Sequence, residues 1–469
     1  MVAKYNFMSK KSIIIIGIVL VIAMVGAFVF FSSFKSVDTI NDGTGGTNFF
    51  STIFPFGKST STNTGTPTQP TDISGYVPSE TPIVQKELLN KISTMPIAGY
   101  GIFTKERFKD VVITPPTPEV IVVEDTNTST ATEQKPVDTK IKNEKTKIAP
   151  TAPLTEYATA LRYVEKATGN IYQTFADKIY ELKFTTTIIP AVYDAYFGNN
   201  GSSVVMRYLK EDQKTIDSFA GTMPKEVLGG DTSSTELIGT FLPENIKDIS
   251  VSPNNSSIFY LFENGNNAIG VTATPSGDKK SQIFSSPFTE WLSQWPNNRM
   301  ITLSTKPSFS VPGFMYFIDP NVKKLNKILG DIKGLTTLTS PSGKLILYSN
   351  NNLSLRIYNT DTEDSVPVGI KTMPEKCVWN KDSTIIYCAV PKYLPGLNYP
   401  DSWYQGEVSF SDDIWKLNIE NGNATNIANP NSFTNGQDID GIKLSLDEKG
   451  DYLFFVNKKD SYLWELQLK

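Results

Sequence analysis

One pattern recurs along the second half of this chain and constrains its fold more than any other feature. An apolar strand leads into a short turn of Pro, Asn, Asp, Ser or Gly, and a second strand rich in β-branched and aromatic residues follows. It reads AYFGNNGSSVVMRY at residues 195–208, VSPNNSSIFYLF at 251–262 and, more loosely, WPNNRMITLS at 295–304. It returns as TSPSGKLILYS at 339–349, VWNKDSTIIYCAV at 378–390 and LSLDEKGDYLFFV at 444–456. The turns, marked at Gly198, Ser252, Trp295, Ser340, Trp379 and Ser445, are 39 to 66 residues apart. Each step has room for four strands of ordinary length with their turns.

Third and fourth strands are found downstream of the hairpins. In one unit they are residues 414–419 and 424–427 around the hairpin signal Asn421-Gly422; in another they are 354–358 and 366–370. Four antiparallel strands repeated about an axis make a β-propeller, so the predicted fold class is all-β. Six turns give six blades. The last unit, however, ends straight after its third strand, at residues 462–466, and must borrow a fourth. Residues 87–93 have the character to supply it, which would remove an exposed sheet edge. Residues 95–103, 160–164, 171–175 and 179–185 would then form a further blade, giving a seven-bladed propeller. The alternative treats residues 154–182 as helix, because Leu154, Tyr157, Leu161 and Val164 recur at helical spacing, and leaves six blades.

The Ser-Pro-x-Gly/Asn turns followed by Ile-Phe-Tyr or Ile-Leu-Tyr resemble the repeats of exported bacterial propellers similar to the periplasmic propeller of the Tol system. The resemblance covers residues 188–469 and implies fold alone. Only the units at Ser252 and Ser340 carry Ser-Pro, and the His-bearing signature of WD repeats is missing. No binding residue is transferred by it.

Upstream, residues 13–31 read IIIIGIVLVIAMVGAFVFF without a charge and span about 28 Å as a helix, close to the hydrocarbon core. Lys4, Lys10 and Lys11 precede the run and Lys35 follows it, which predicts a cytoplasmic N-terminus and an extracytoplasmic remainder. Val25 and Ala27 offer a rival cleavage site, but the apolar run continues through Phe31 and favours an uncleaved anchor. The expected organisation is a cytoplasmic tail at 1–12, a transmembrane helix at 13–31 and a disordered linker at 32–85. First propeller strands follow at 86–104, a largely disordered insertion at 105–156, and the remaining propeller at 157–469. The linker is rich in Ser, Thr, Gly, Asn and Pro and buries too little apolar surface to offset its ordering entropy.

The chain has no histidine, which excludes His-based triads, His-ligated zinc and haem, and imidazole proton shuttles. A net charge of −4, from 44 basic and 48 acidic residues, gives no footprint for nucleic acid. No cofactor and no metal is expected. The two cysteines, Cys377 and Cys388, flank the turn at Asp382-Ser383; a hairpin centred there sets them opposite one another, as candidates for a disulfide.

The longest departure from the repeat is residues 391–412, which join a second strand to a third. Tyr393, Tyr399, Trp403 and Tyr404, with Asp401, Glu407, Asp412 and the adjacent Asp413, are the candidate binding residues. Aromatics beside adaptable polar groups suit protein or glycan recognition, whereas the same aromatics folded inward would cap the propeller. With no catalytic signature in view, the expected function is a non-enzymatic interaction platform of the cell envelope, held to the bilayer by residues 13–31 and binding an envelope protein or glycan. The alternative is a carboxylate-based, carbohydrate-active hydrolase working in the central funnel.

Overall fold

The second strand of each repeat, legible as an unbroken apolar run, is the most deeply buried element of its sheet. Ser203–Leu209, Ile258–Asn264, Leu345–Ser349, Ile385–Pro391 and Tyr452–Asn457 hide most of their residues on both faces. A strand loses both faces only when its sheet is covered on both sides. That arrangement is present in the computed structural model, which describes residues 89–109, 154–178, 180–226, 228, 236–433 and 436–469. Seven four-stranded antiparallel sheets stand around a common axis.

Between each pair of neighbouring blades lies one apolar cluster. Leu347 and Ile357 of the fifth blade, for example, pack on Trp379 and Cys388 of the sixth. Phe454 and Leu463 of the seventh pack on Leu161 and Tyr163 of the first, which completes the circle. The six-bladed alternative is thereby excluded. The span once weighed as helix forms the strands Thr155–Glu165, Ile171–Phe175 and Leu182–Lys183 of blade one.

The recurring turn has a single hydrogen-bonding plan in four blades. At Ser252, Ser340, Asn380 and Asp447 the backbone N–H donates to the carbonyl five residues on, namely that of Ser257, Leu345, Ile385 and Tyr452. In the other direction the side-chain oxygen of each accepts from the backbone N–H of that same later residue. The fourth residue of the turn, Asn255, Gly343, Ser383 or Gly450, takes the left-handed conformation that closes it. Ser, Asn and Asp are interchangeable at the first position because each offers a short side-chain acceptor.

The ring closes as the strand count requires. Leu89–Lys91 pairs with Leu463–Gln467 as the outermost strand of blade seven, with Leu89 opposite Leu466 and Lys91 opposite Trp464. The next residues lead into Ile97–Phe108, the innermost strand of blade one. There Gly99 and Gly101 face blade two so closely that a Cβ at Gly99 would fall 2.1 Å from the Ala195 carbonyl oxygen. Two expected boundaries move. The first strand runs past residue 104 to Phe108, and its partner begins at Thr155 rather than 157, with Phe108 opposite Thr155. The expected membrane helix, linker and most of the insertion lie outside the described residues. Among the described residues no helix is long and apolar enough to cross a membrane.

The propeller has two distinct ends. All first-to-second-strand turns lie at one, and Leu89 enters there too, because its strand runs antiparallel to one that finishes beside the turn at Asp451. The connections between blades and the long loop after Pro391 lie at the other.

Candidate functional site in the central channel

First strands line the axis of a propeller, so their polar residues decide what the channel can hold. Here the axis encloses a cavity of 720 Å³. Tyr100 and Gly101 of blade one, Tyr196 and Phe197 of blade two, Ser293 of blade four and Lys443 of blade seven form its wall. Gly201 and Asn255 border it at the turn end, and Glu375 and Trp403 at the opposite end.

Glu375 in the channel wall and Asp248, bonded to the wall residue Ser293, hold their protons more tightly than usual. Asp248, on the first strand of blade three, is pushed up to about 6 by burial. Its Oδ2 accepts from the backbone N–H and the hydroxyl of Ser293, both at 2.6 Å. Glu375 is raised by burial and, further, by the negative charge of Asp248. Its Oε1 accepts from the Tyr404 hydroxyl. Burial is the main cause in both, and two carboxyls that retain protons near neutrality are suited to acid–base work.

A third acid, Asp194, is held differently. It accepts from Lys443 at 2.7 Å, Tyr196 at 2.7 Å and Arg207 at 3.1 Å. Its charge is fully matched, and it serves as a strut between blades two and seven. Tyr100 of blade one also donates to blade seven, to the Lys443 carbonyl at 2.5 Å.

The loop at 391–412 closes the end of the channel opposite the turns. A helical turn, Asp401–Tyr404, carries its tip. Asp401 accepts from the Ser308 hydroxyl and the Phe309 backbone N–H, which ties the loop across the axis to blade four. Tyr399 and Trp403 turn inward and pack with Phe410, Met373 and Leu353 in a small core of their own. Tyr404 is 40% exposed and donates its hydroxyl to the channel residue Glu375. Tyr393 is 75% exposed on the outer surface, and Glu407 is also exposed. Asp413 pairs with Lys392 at 3.4 Å and accepts from Asn426.

Asp412 lies in a dry cluster at the base of that loop. Lys376 is fully buried between Asp412, at 2.8 Å, and Asp440. Asp440 also accepts from the Trp403 indole, the Ser409 hydroxyl and the Phe410 backbone N–H. Burial works against its ionisation, but Lys376 and these donors hold it below the usual carboxylate range. Asp412 has fewer donors and an unpartnered Oδ1, so burial prevails and raises it to about 6. No solvent reaches this trio, whose role is to fasten the cap to blades six and seven. The predicted site residues are therefore not assembled into one surface: Tyr404 bonds to the channel residue Glu375, Trp403 borders the channel, Tyr399 and Asp412 are internal, and the rest lie outside.

Asp248, Glu375, Asp194 and Ser293 were not singled out by the sequence. A signal existed once the repeat was accepted, because Asp194, Asp248 and Ser293 all sit on first strands, and Glu375 immediately precedes one. Cys377 and Cys388 stand opposite one another, with their sulfurs bonded at 2.08 Å. The turn between them closes at Asn380 and Ile385, one pair farther out than a two-residue loop, with the register unchanged. Among the described residues no cluster of three or more acidic or cysteine side chains is placed to hold a metal ion.

No family model and no curated protein matches the chain. Several solved propellers are similar in shape. An oligogalacturonate lyase in complex with manganese shares 9% identity at a TM-score of 0.42, over 66% of this chain and 85% of its own. An oligogalacturonate lyase from Vibrio parahaemolyticus shares 10% at 0.44, over 66% and 86%. The tricorn protease shares 12% at 0.32, over 64% and 27%. These likenesses bear on the fold, and no activity or residue role is taken from them. The expected non-enzymatic platform is nonetheless corrected. It rested on the lack of a catalytic signature, whereas the channel wall carries Glu375 and, bonded to the wall residue Ser293, Asp248, two carboxyls that burial pushes above the usual range.

Proposed function

We propose that the propeller is a carbohydrate-active enzyme that hydrolyses glycosidic bonds in its channel with Glu375 and Asp248 as its acid–base pair. The observation that carries this reading is a proton-retaining carboxyl, Glu375, on a cavity walled by Tyr100, Tyr196 and Trp403, with a second, Asp248, bonded to Ser293 of the same wall. Aromatic faces suit the C–H faces of sugar rings, and carboxyl pairs of unequal proton affinity are the usual equipment for cleaving them. In the reaction, the protonated acid gives its proton to the glycosidic oxygen as the C–O bond breaks. The ionised partner takes a proton from water as the water oxygen bonds to the anomeric carbon. The sum is the addition of one water, with both carboxyls restored after proton exchange.

The test is release of new reducing ends from a panel of envelope and plant oligosaccharides. Asp248→Asn and Glu375→Gln are each expected to lower the rate at least 100-fold while leaving the far-ultraviolet spectrum unchanged. Full activity in both variants, or no cleavage of any glycan by the parent protein, would remove the assignment.

We further propose that residues 13–31 hold this domain outside the cytoplasm, within reach of envelope glycans. The support is the uninterrupted apolar run and the lysines before it. A periplasm-dependent reporter fused after Lys469 should be active, and a cytoplasm-dependent one silent; the reverse pattern overturns the topology.

A further inference from the structure

Charge at the channel decides which sugars it would take, an inference that rests on the glycan reading above. The cations beside the cavity are all committed. Lys443 donates to Asp194 and, at 2.9 Å, to the Ala98 carbonyl. Arg207 donates to Asp194 and to the carbonyls of Ile246 and Lys247. Behind Trp403, Lys376 is locked between two aspartates, and Lys458 donates to the Trp403 carbonyl. Asp194 takes a bond from each of these two bases, Lys443 and Arg207, and backbone carbonyls take others of their donors.

Two acids have no ion pair of this kind. Asp248 is engaged only through Oδ2, by neutral donors from Ser293. Glu375 is engaged only through Oε1, by the neutral Tyr404 hydroxyl. Neither has a cationic partner at hydrogen-bonding distance among the described residues, and each has a second oxygen that none of these bonds uses. A carboxylate-bearing ligand entering here would give up its hydration beside two acids and meet no free cation. A ligand with an ammonium group would meet the partner both acids lack, in a cavity where solvent screening is reduced.

We propose that the channel selects amino sugars, with the ammonium placed between Asp248 and Glu375, and rejects uronic acid polymers. The aromatic wall supplies the stacking faces for the rings, and Ser293 holds Asp248 in position for the amine. Ionised Asp248 is the stronger partner, so selection should weaken as pH falls below about 6, where that carboxyl takes up its proton.

The test is calorimetric titration of the intact detergent-solubilised chain at pH 7 with three tetrasaccharides: glucosamine tetramer, cellotetraose and tetragalacturonate. Glucosamine tetramer should bind at least 10-fold tighter than cellotetraose, and tetragalacturonate should not bind measurably. Asp248→Asn should cut the preference for glucosamine tetramer over cellotetraose at least 5-fold. Equal or tighter binding of tetragalacturonate, a preference unmoved in Asp248→Asn, or no binding of any of the three would overturn the proposal. Product analysis of the same mixtures separates the two readings. Selective binding of glucosamine tetramer without cleavage leaves this inference standing and removes the hydrolase, whereas cleavage of uronates does the opposite.

Discussion

At the scale of single residues, the seam between the last and first strands holds an unusual carboxyl. Glu465 is 2% exposed; Asn90 donates to its Oε1 at 3.2 Å, and its Oε2 has no partner. Burial pushes it up to about 8. At neutral pH the folded chain therefore keeps a proton there that the unfolded chain has released. From the ordinary glutamate range up to about 8 each pH unit costs on the order of 1 kcal/mol of stability; below that range the contribution is flat. Urea denaturation at pH 5, 7 and 8.5 should show this decline. Glu465→Gln should flatten it and match or exceed the parent at pH 8.5. An equally steep decline in the variant would assign the effect to other groups. Nothing in the run Leu463-Trp464-Glu465-Leu466 gave notice of this, since alternation alone places Glu465 on a face whose burial depends on a strand some 370 positions away.

At the scale of elements, legibility follows the range of the interaction. The turns at Ser252 and Ser340 are local, five residues from acceptor to donor, and their sequences announce them. The cross-strand pairing of Cys377 with Cys388 is nearly as local, and a hairpin register fixes it. The closing strand is a long-range element that could still be read, because the last repeat was one strand short. Leu89–Lys91 is only three residues long, yet it covers the edge of Leu463–Gln467 and brings Leu89 into the cluster between blades six and seven. Deleting residues 89–94 should expose that edge and lower the melting temperature by roughly 5 °C or more, while deletion of residues 62–70 should leave it unchanged. Equal melting of both would mean that the ring is held shut without this strand. The loop after Pro391 was legible as a departure from the repeat, but its orientation was not. Whether Trp403 points in or out is decided by Asp440, which accepts its indole N–H from 37 positions along the chain.

At the scale of the whole molecule, the channel was the least legible part. Asp248 and Glu375 come from different parts of the ring, and neither belongs to a motif; only the circular order of the blades brings them close enough for the charge of one to act on the other. The two ends of the molecule also differ in kind. One is closed by a loop fastened through Lys376, Asp412 and Asp440, and the other carries the strand turns, the protruding blade-one hairpin and the point where Leu89 enters. A ligand reaching the channel past an intact cap would arrive from that second end.

The shared seventh blade sets an order of events during synthesis. A ribosome delivers Leu89–Lys91 long before Leu463–Gln467, so the two parts of one sheet are made hundreds of residues apart. Blades two to six can each be completed from contiguous chain as it emerges. Blade one, although also whole, has no neighbour on one side until the final strands arrive, and until then Leu161 and Tyr163 lack their cover from Phe454 and Leu463. The nascent protein is an open arc with two sticky apolar faces, and Leu463–Gln467 is the strand that turns the arc into a ring. A ribosome that stalls or a protease that clips near the C-terminus would leave not a slightly shortened propeller but one that cannot lock.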